Sequence, residues 1–375
     1  MSLSRTQSTP APHTNTASCG WRALLMLFLL AVVSGGCSSP KVRFGYAATE
    51  QGVYAFRMVA SNGAGSQVFG SPFVAKTNAS SAASAASVLV HPSGDFLYVA
   101  DEDINSISLF KINHTTGALT EALPRTPLTS SSGVGLSPAV MTMDKSGQFL
   151  FVGNLVTNDV WVFSIGSSGT LTFVSSAQVG GPPSGLTLAA SGNFLYVPIP
   201  LFSAISVFSV SSGTLTPVGT PFRVNGGVGN PGIDPNGSFL YVPNPSTDTV
   251  TVLRIQSDGS LNFGAGAFAT GTAPIAAATN PTGAYLYVAN SGSTNLSQFK
   301  IDTTSGQLTA LTTATAGTGT EPTAFAFDPQ AKFIFVVNHE ANTITEYTIN
   351  SDGTLASTGN QLQLPVAPLS FAITP

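Results

Sequence analysis

Three side chains near the C-terminus offer acid–base chemistry: Glu321, His339 and Glu340. An imidazole and a carboxylate that reach one point can move a proton near neutral pH. His339 and Glu340 are adjacent, and neighbours at a strand end point opposite ways, so a joint role is not expected of that pair. The plainer reading of His339 and Glu340 is a solvated loop. Asp101, Glu102 and Asp103 form the densest acidic spot. Their oxygens suit Ca²⁺, but Asp-Glu-Asp-Ile-Asn lacks the spacing of a calcium loop, and no metal site is expected. His91 and His114 fall in turns and read as structural. Arg57, Lys111, Arg254 and Lys300 share one repeat position and so predict a distributed, solvent-facing ring of cations. No Gly-x-Ser-x-Gly elbow or glycine-rich phosphate loop precedes a helix, which leaves no basis for a serine nucleophile or a nucleotide cofactor.

Charge is sparse. Asp, Glu, Lys and Arg make up 8% of the chain, against about 25% in an average domain. The net charge of −4 and the absence of any basic run argue against a nucleic-acid partner. Both cysteines, Cys19 and Cys37, lie in the first forty residues, so the remainder has neither disulfides nor a cysteine metal site. Residues 23–33 read ALLMLFLLAVV, with Arg22 before them and Ser34-Gly35-Gly36-Cys37 after. That run is too short to span a bilayer and fits a signal-peptide core. The cysteine after small residues resembles a bacterial lipobox, although Ser34 stands where an aliphatic is usual. The expectation is an exported chain with Cys37 lipidated, anchored in the cell envelope. Ser38 and Ser39 resemble an outer-membrane sorting context, and plain secretion is the alternative. Residues 38–41 would be a tether, and 42–375 the folded domain.

That domain is built from a repeat. SGDFLYVAD, SGQFLFVGN, SGNFLYVPI, NGSFLYVPN, TGAYLYVAN and QAKFIFVVN begin at Ser93, Ser146, Ser191, Asn236, Thr282 and Gln330. A second phrase follows each at one fixed separation, from Phe96 to Ile107 in one copy and from Phe333 to Ile344 in the last. A Gly-x-Leu hairpin signal then closes each copy, as at Gly117-Ala118-Leu119 and Gly353-Thr354-Leu355. A short strand of small residues precedes each phrase, for example Val88-Leu89-Val90. This gives four strands per copy, A to D outward from an axis, at the spacing of propeller blades. Phe44 to Met58 supplies the B and C strands of a further blade without an A strand. Pro368 to Ile373 supplies an A strand and then the chain stops. The expected fold is an all-β, seven-bladed propeller of four-stranded antiparallel blades, closed by the C-terminal strand and monomeric. No segment past residue 40 predicts a helix, apart from a possible turn in the Ala/Ser-rich connector at 78–87.

FLYVAN, ISVF and Gly-x-Leu-Thr together resemble the lactonase-type, 6-phosphogluconolactonase-like propellers and the related YVTN-repeat surface proteins over residues 42–375. In enzymatic members the resemblance implies Pro-Arg-His at the start of an inner strand and Asn-Glu at the end of a following one. Here Pro138, Pro183, Pro274, Pro322 and Pro368 precede Ala-Val, Ser-Gly, Ile-Ala, Thr-Ala and Leu-Ser, and Asn338-His339-Glu340 is displaced by one residue. B–C loops and D–A connectors should share the face around the channel mouth. Four of the connectors carry a single charge, Glu321, which disfavours a phosphorylated substrate. Polar pairs recur four apart in the loops: Asp101/Asn105, Asn154/Asn158, Asn244/Asp248, Asn290/Thr294 and Asn338/Asn342. They read either as caps on turn amides or as a ring that binds sugar hydroxyls or a peptide. The expectation is therefore a non-catalytic binding or scaffold module for a protein, peptide or glycan. The alternative is a divergent hydrolase of an unphosphorylated sugar lactone.

Overall fold

The computed structural model describes residues 42–59, 61–75, 83–130 and 133–375. The expected signal segment, Cys37 and the tether lie outside the described residues. Seven antiparallel sheets follow one another along the chain as propeller blades. Blade 1 combines Pro368–Ile373 with Val42–Thr49, Gly52–Val59 and Gly65–Gln67. The tail enters in antiparallel register, with Gly45 opposite Ile373 and Ala47 opposite Phe371. Blades 2, 3, 5, 6 and 7 occupy residues 85–127, 138–178, 232–269, 274–317 and 322–363. Blade 4 has its outer strand in two pieces, Thr214–Pro217 and Phe222–Arg223. One short 3₁₀ turn, Pro200–Phe202, is the only helical element among the described residues. Ala85 to Ser87, the end of the Ala/Ser-rich connector, is strand rather than helical turn.

Seven apolar clusters form the core, and each is shared by two neighbouring blades. Alternation sends every second B- and C-strand side chain to each neighbour, so no blade has a core of its own. The Gly-x-Leu and FLYV phrases meet across these seams. A methyl group on Gly259, where φ is +84°, would lie 2.2 Å from the Phe194 ring of the preceding blade. Only glycine takes that conformation and that contact together. At four seams the second aromatic of the phrase adds a hydrogen bond. Tyr98 donates to the Gly169 carbonyl at 2.8 Å, Tyr287 to Gly353 at 2.7 Å, Tyr46 to Gly117 at 3.1 Å and Tyr196 to Gly259 at 3.2 Å. Each such bond contributes about 1 kcal/mol. The seam between blades 7 and 1 is fastened differently. There a buried Arg43–Asp328 ion pair at 2.8 Å and the Lys332 and Asn360 side chains, bonded to the Ser61 and Asn62 carbonyls, replace the tyrosine.

The inner strands of blades 4 and 5 are short, only Thr187–Leu188 and Gly232–Ile233. Pro183 therefore does not start a paired strand. The cause is in the neighbouring B strands, which read VPI and VPN where blades 2 and 6 have VAD and VAN. The Pro198 and Pro243 carbonyls face the inner strand and accept from Ser184 and Gly229. Their nitrogens face the same way and have no hydrogen to give, so the ladder stops. Asn230 instead bridges to Ala276 of blade 6 in parallel.

Candidate functional site

B–C loops and D–A connectors are bonded to each other on one face. Glu102 N donates to Ser84 O, Leu155 N to Ser137 O, Ser291 N to Ala273 O and His339 N to Glu321 O. Five inner strands carry a bulge at this end. The extra residues are Ala86, Ala139, Ile275, Thr323 and Leu369, each half-buried. A bulge re-aims one side chain, often beside a site. Four of these five directly follow the inner-strand proline, where the resemblance implies arginine, and none can ionise.

Asp101, Asn154, Asn244, Asn290 and Asn338 lie beneath this face, at most 1% exposed. Their bonds run mainly to the C strand rather than to turn amides, and Asn244 and Asn338 also bond Gly227 O and the Thr318 hydroxyl of the D–A connectors. Asn244 Oδ1 accepts from Thr251 at 2.6 Å, Asn290 Nδ2 donates to Ser297 at 3.0 Å, and Asn338 Nδ2 donates to Thr345 at 2.8 Å. Asp101 accepts from Ser108 at 2.6 Å, and Asn154 donates to Asp159 at 2.8 Å. These side chains tie the B strand to the C strand. In two of the pairs the residue four positions on serves the next blade instead. Asn105 Oδ1 accepts from Ser137 N and Asp248 Oδ1 from Ala273 N. Burial raises the Asp101 carboxyl to about 7, despite the Ser108 bond that opposes it.

Glu321 and His339 come together. His339 Nδ1 lies 2.9 Å from Glu321 Oε2, with the two side chains 39% and 37% exposed. Hairpin register places them there, since Pro322 pairs with Asn338 and the flanking residues follow. Sequence reasoning weighed each residue but missed the pairing, which counting outward from that hairpin would have found. Glu321 has φ +54°, yet Ser137 and Ala273 take the same conformation before their prolines. The conformation therefore belongs to the corner and is not strain particular to this site. Glu340 is exposed and lies outside the pair. The three carboxylates of the acidic spot go separate ways. Asp103 accepts from Ser84 N and Glu102 from the Ser137 hydroxyl at 2.6 Å. No group of metal-ligating side chains occurs among the described residues.

The opposite face holds His91, in contact with Ser93 and Gly147 O, and His114, paired with Asp95 at 2.8 Å. Arg57, Lys111, Arg254 and Lys300 are exposed on four different blades, each opposite the first aromatic of its B strand.

The model of the seven-bladed β-propeller lactonases matches residues 37–126, 88–229 and 232–319. The chain belongs to this lactonase family. A comparison with curated proteins found no match. Among solved structures, a provisionally assigned 6-phosphogluconolactonase from Bacteroides fragilis superposes with a TM-score of 0.73 at 20% identity, covering 90% of this chain and 99% of that one. The periplasmic gluconolactonase PpgL of Pseudomonas aeruginosa gives 0.72 at 18% identity, covering 89% and 99%. Identities this low carry the fold alone. Within this fold, one carboxylate–imidazole pair lies on the loop face among the described residues.

Proposed function

We propose that this lactonase-family propeller hydrolyses an uncharged lactone at its channel mouth, with His339 as general base. The supporting observation is the 2.9 Å contact between His339 Nδ1 and Glu321 Oε2. Glu321 accepts the Nδ1 proton, which leaves Nε2 with its lone pair available. That nitrogen takes a proton from a water attacking the lactone carbonyl. The imidazolium then returns the proton to the ring oxygen as the acyl–oxygen bond breaks, giving the open hydroxy acid. The B–C loops contain no Lys or Arg, which favours an unphosphorylated substrate.

Acid release from glucono-δ-lactone, followed with a pH indicator, is the test. The wild-type chain should exceed the spontaneous rate. His339→Ala should lower kcat by about 10²-fold or more. Glu321→Gln should lower it less and displace the pH profile, and Glu340→Gln should leave the rate unchanged. If no lactone in a panel is opened faster than in buffer, the non-catalytic binding reading replaces this one. The neutral bulge residues favour that second reading.

We also propose export and anchoring through Cys37, supported by the apolar run at 23–33 and the small residues before the cysteine. Cells expressing the full chain should incorporate labelled palmitate into it, and Cys37→Ser should abolish the label. Label retained in that variant would rule out this anchor.

A further inference from the structure

Blade 4 departs from the repeat at three places that meet in space. Its B strand ends in Ile199, where blades 2, 3, 5, 6 and 7 place the buried Asp or Asn tie. Ser206, at the position of Ser108, Thr251, Ser297 and Thr345, accordingly turns its hydroxyl to the Val179 carbonyl at 2.7 Å. Its outer strand pairs at Phe208–Ser211 and again at Ala204–Ile205, and residues 219–221 loop away between the two pieces. Gly219, at φ +65°, and Pro221, without an N–H, lie in that loop.

A cavity of about 540 Å³ opens where the strand parts, within the range of small-molecule sites. Val179, Ile199 and Ala204 make a buried apolar floor. Phe202, 46% exposed, and Phe222 form the walls. A second hollow of about 230 Å³ shares Ser206 and Pro221 with it. One charge stands at the rim. Arg223 is exposed, donates from Nη1 to Phe202 O at 3.1 Å, and makes no ion pair among the described residues. An apolar chamber with one guanidinium at its lip is complementary to a molecule with an apolar body and one carboxylate.

We propose that blade 4 carries a binding site for medium-chain or aromatic monocarboxylates, separate from the Glu321–His339 pair on blade 7. The chain or ring sits against Ile199 between Phe202 and Phe222, and the carboxylate meets Arg223.

Calorimetric titration of the purified chain with octanoate, octan-1-ol and butyrate tests this. Octanoate should bind, and butyrate at least about 10-fold more weakly, since each lost buried methylene weakens binding about 4-fold. Arg223→Gln, at an exposed position, should weaken octanoate about 10-fold and leave octanol unchanged. Phe222→Ala should weaken both. Ala204→Phe fills the chamber and should abolish both. Should that variant fail to fold, the Arg223 and Phe222 variants decide. Octanoate that fails to bind at millimolar concentration, or binds equally well to Arg223→Gln and Phe222→Ala, overturns the proposal. Lactone hydrolysis should be unaffected by Arg223→Gln, so failure of either idea leaves the other standing.

Discussion

A chain ending at Ala367 should lose its cooperative thermal transition and self-associate. The missing segment supplies the whole inner strand of blade 1, from Pro368 opposite Thr49 to Ile373 opposite Gly45. Phe371 packs on Gly45 and lies 5.6 Å, ring to ring, from Phe335 of blade 7. Ser370 accepts from Val88 N of blade 2, and the Thr374 hydroxyl accepts from Phe44 N. One short strand therefore binds three blades. Each large apolar side chain lost contributes about 1.5–3 kcal/mol, against about 5–15 kcal/mol for a whole domain. The deletion also bares the edge of Val42–Thr49, an invitation to pair with another chain. Circular dichroism melts and light scattering will read both effects. Adding a peptide of residues 368–375 should restore the transition by strand addition. A truncated chain that stays monomeric and melts in one sharp step would show that the ring does not depend on its tail.

Asp101→Asn should stabilise the protein at pH 8 and leave it unchanged at pH 4. The other blades with a polar tie place Asn there, and Asn290 shows that the amide can bond the equivalent serine. Asp101 is 1% exposed, and its carboxyl is raised to about 7. Below about pH 4 both the folded and unfolded forms hold the proton and stability is fully present. As pH rises towards 7 the unfolded form releases it and the folded form does not, so stability falls by roughly 1.4 kcal/mol per unit. Above 7 both forms are ionised and the loss levels off. Glu346, 2% exposed at the seam of blades 7 and 1 and also raised to about 7 by burial, adds a similar slope. Asp101→Asn should thus remove part of the pH dependence in urea melts, and the double variant with Glu346→Gln more of it. An unchanged slope in Asp101→Asn would mean that this carboxyl is ionised in the fold.

The blades could be read from the sequence because their signals are local and repeated. A turn glycine, an aromatic pair and a Gly-x-Leu hairpin at fixed separation can hardly fold otherwise, and Pro368 to Ile373 is recognisable as an inner strand without a blade. The short inner strands were legible too, in the proline of VPI and VPN, once its nitrogen is placed on the side of the inner strand. The asparagines were harder. Asn at the end of a strand ordinarily caps a turn, and only the serine or threonine seven residues later reveals the buried partner of Asn244, Asn290 and Asn338, while Asn154 turns to Asp159 instead. The Glu321–His339 contact depends on register across a hairpin, which residue types alone do not display. Nothing local announces the chamber in blade 4, because it arises from a missing polar tie and a parted outer strand acting together.

Four B-strand tyrosines at the seams give the ring a direction. Tyr46, Tyr98, Tyr196 and Tyr287 each reach forward to the hairpin of the blade that follows in the chain, never back. The unit that is held together is thus out of phase with the unit that is written, running from one blade's aromatic pair to its successor's glycine. Permuted chains with new termini in a D–A connector keep every one of these grips, while termini placed at Gly169 or Gly259 sever one. Gain or loss of a blade in such a ring leaves the chain intact only when a whole out-of-phase unit moves.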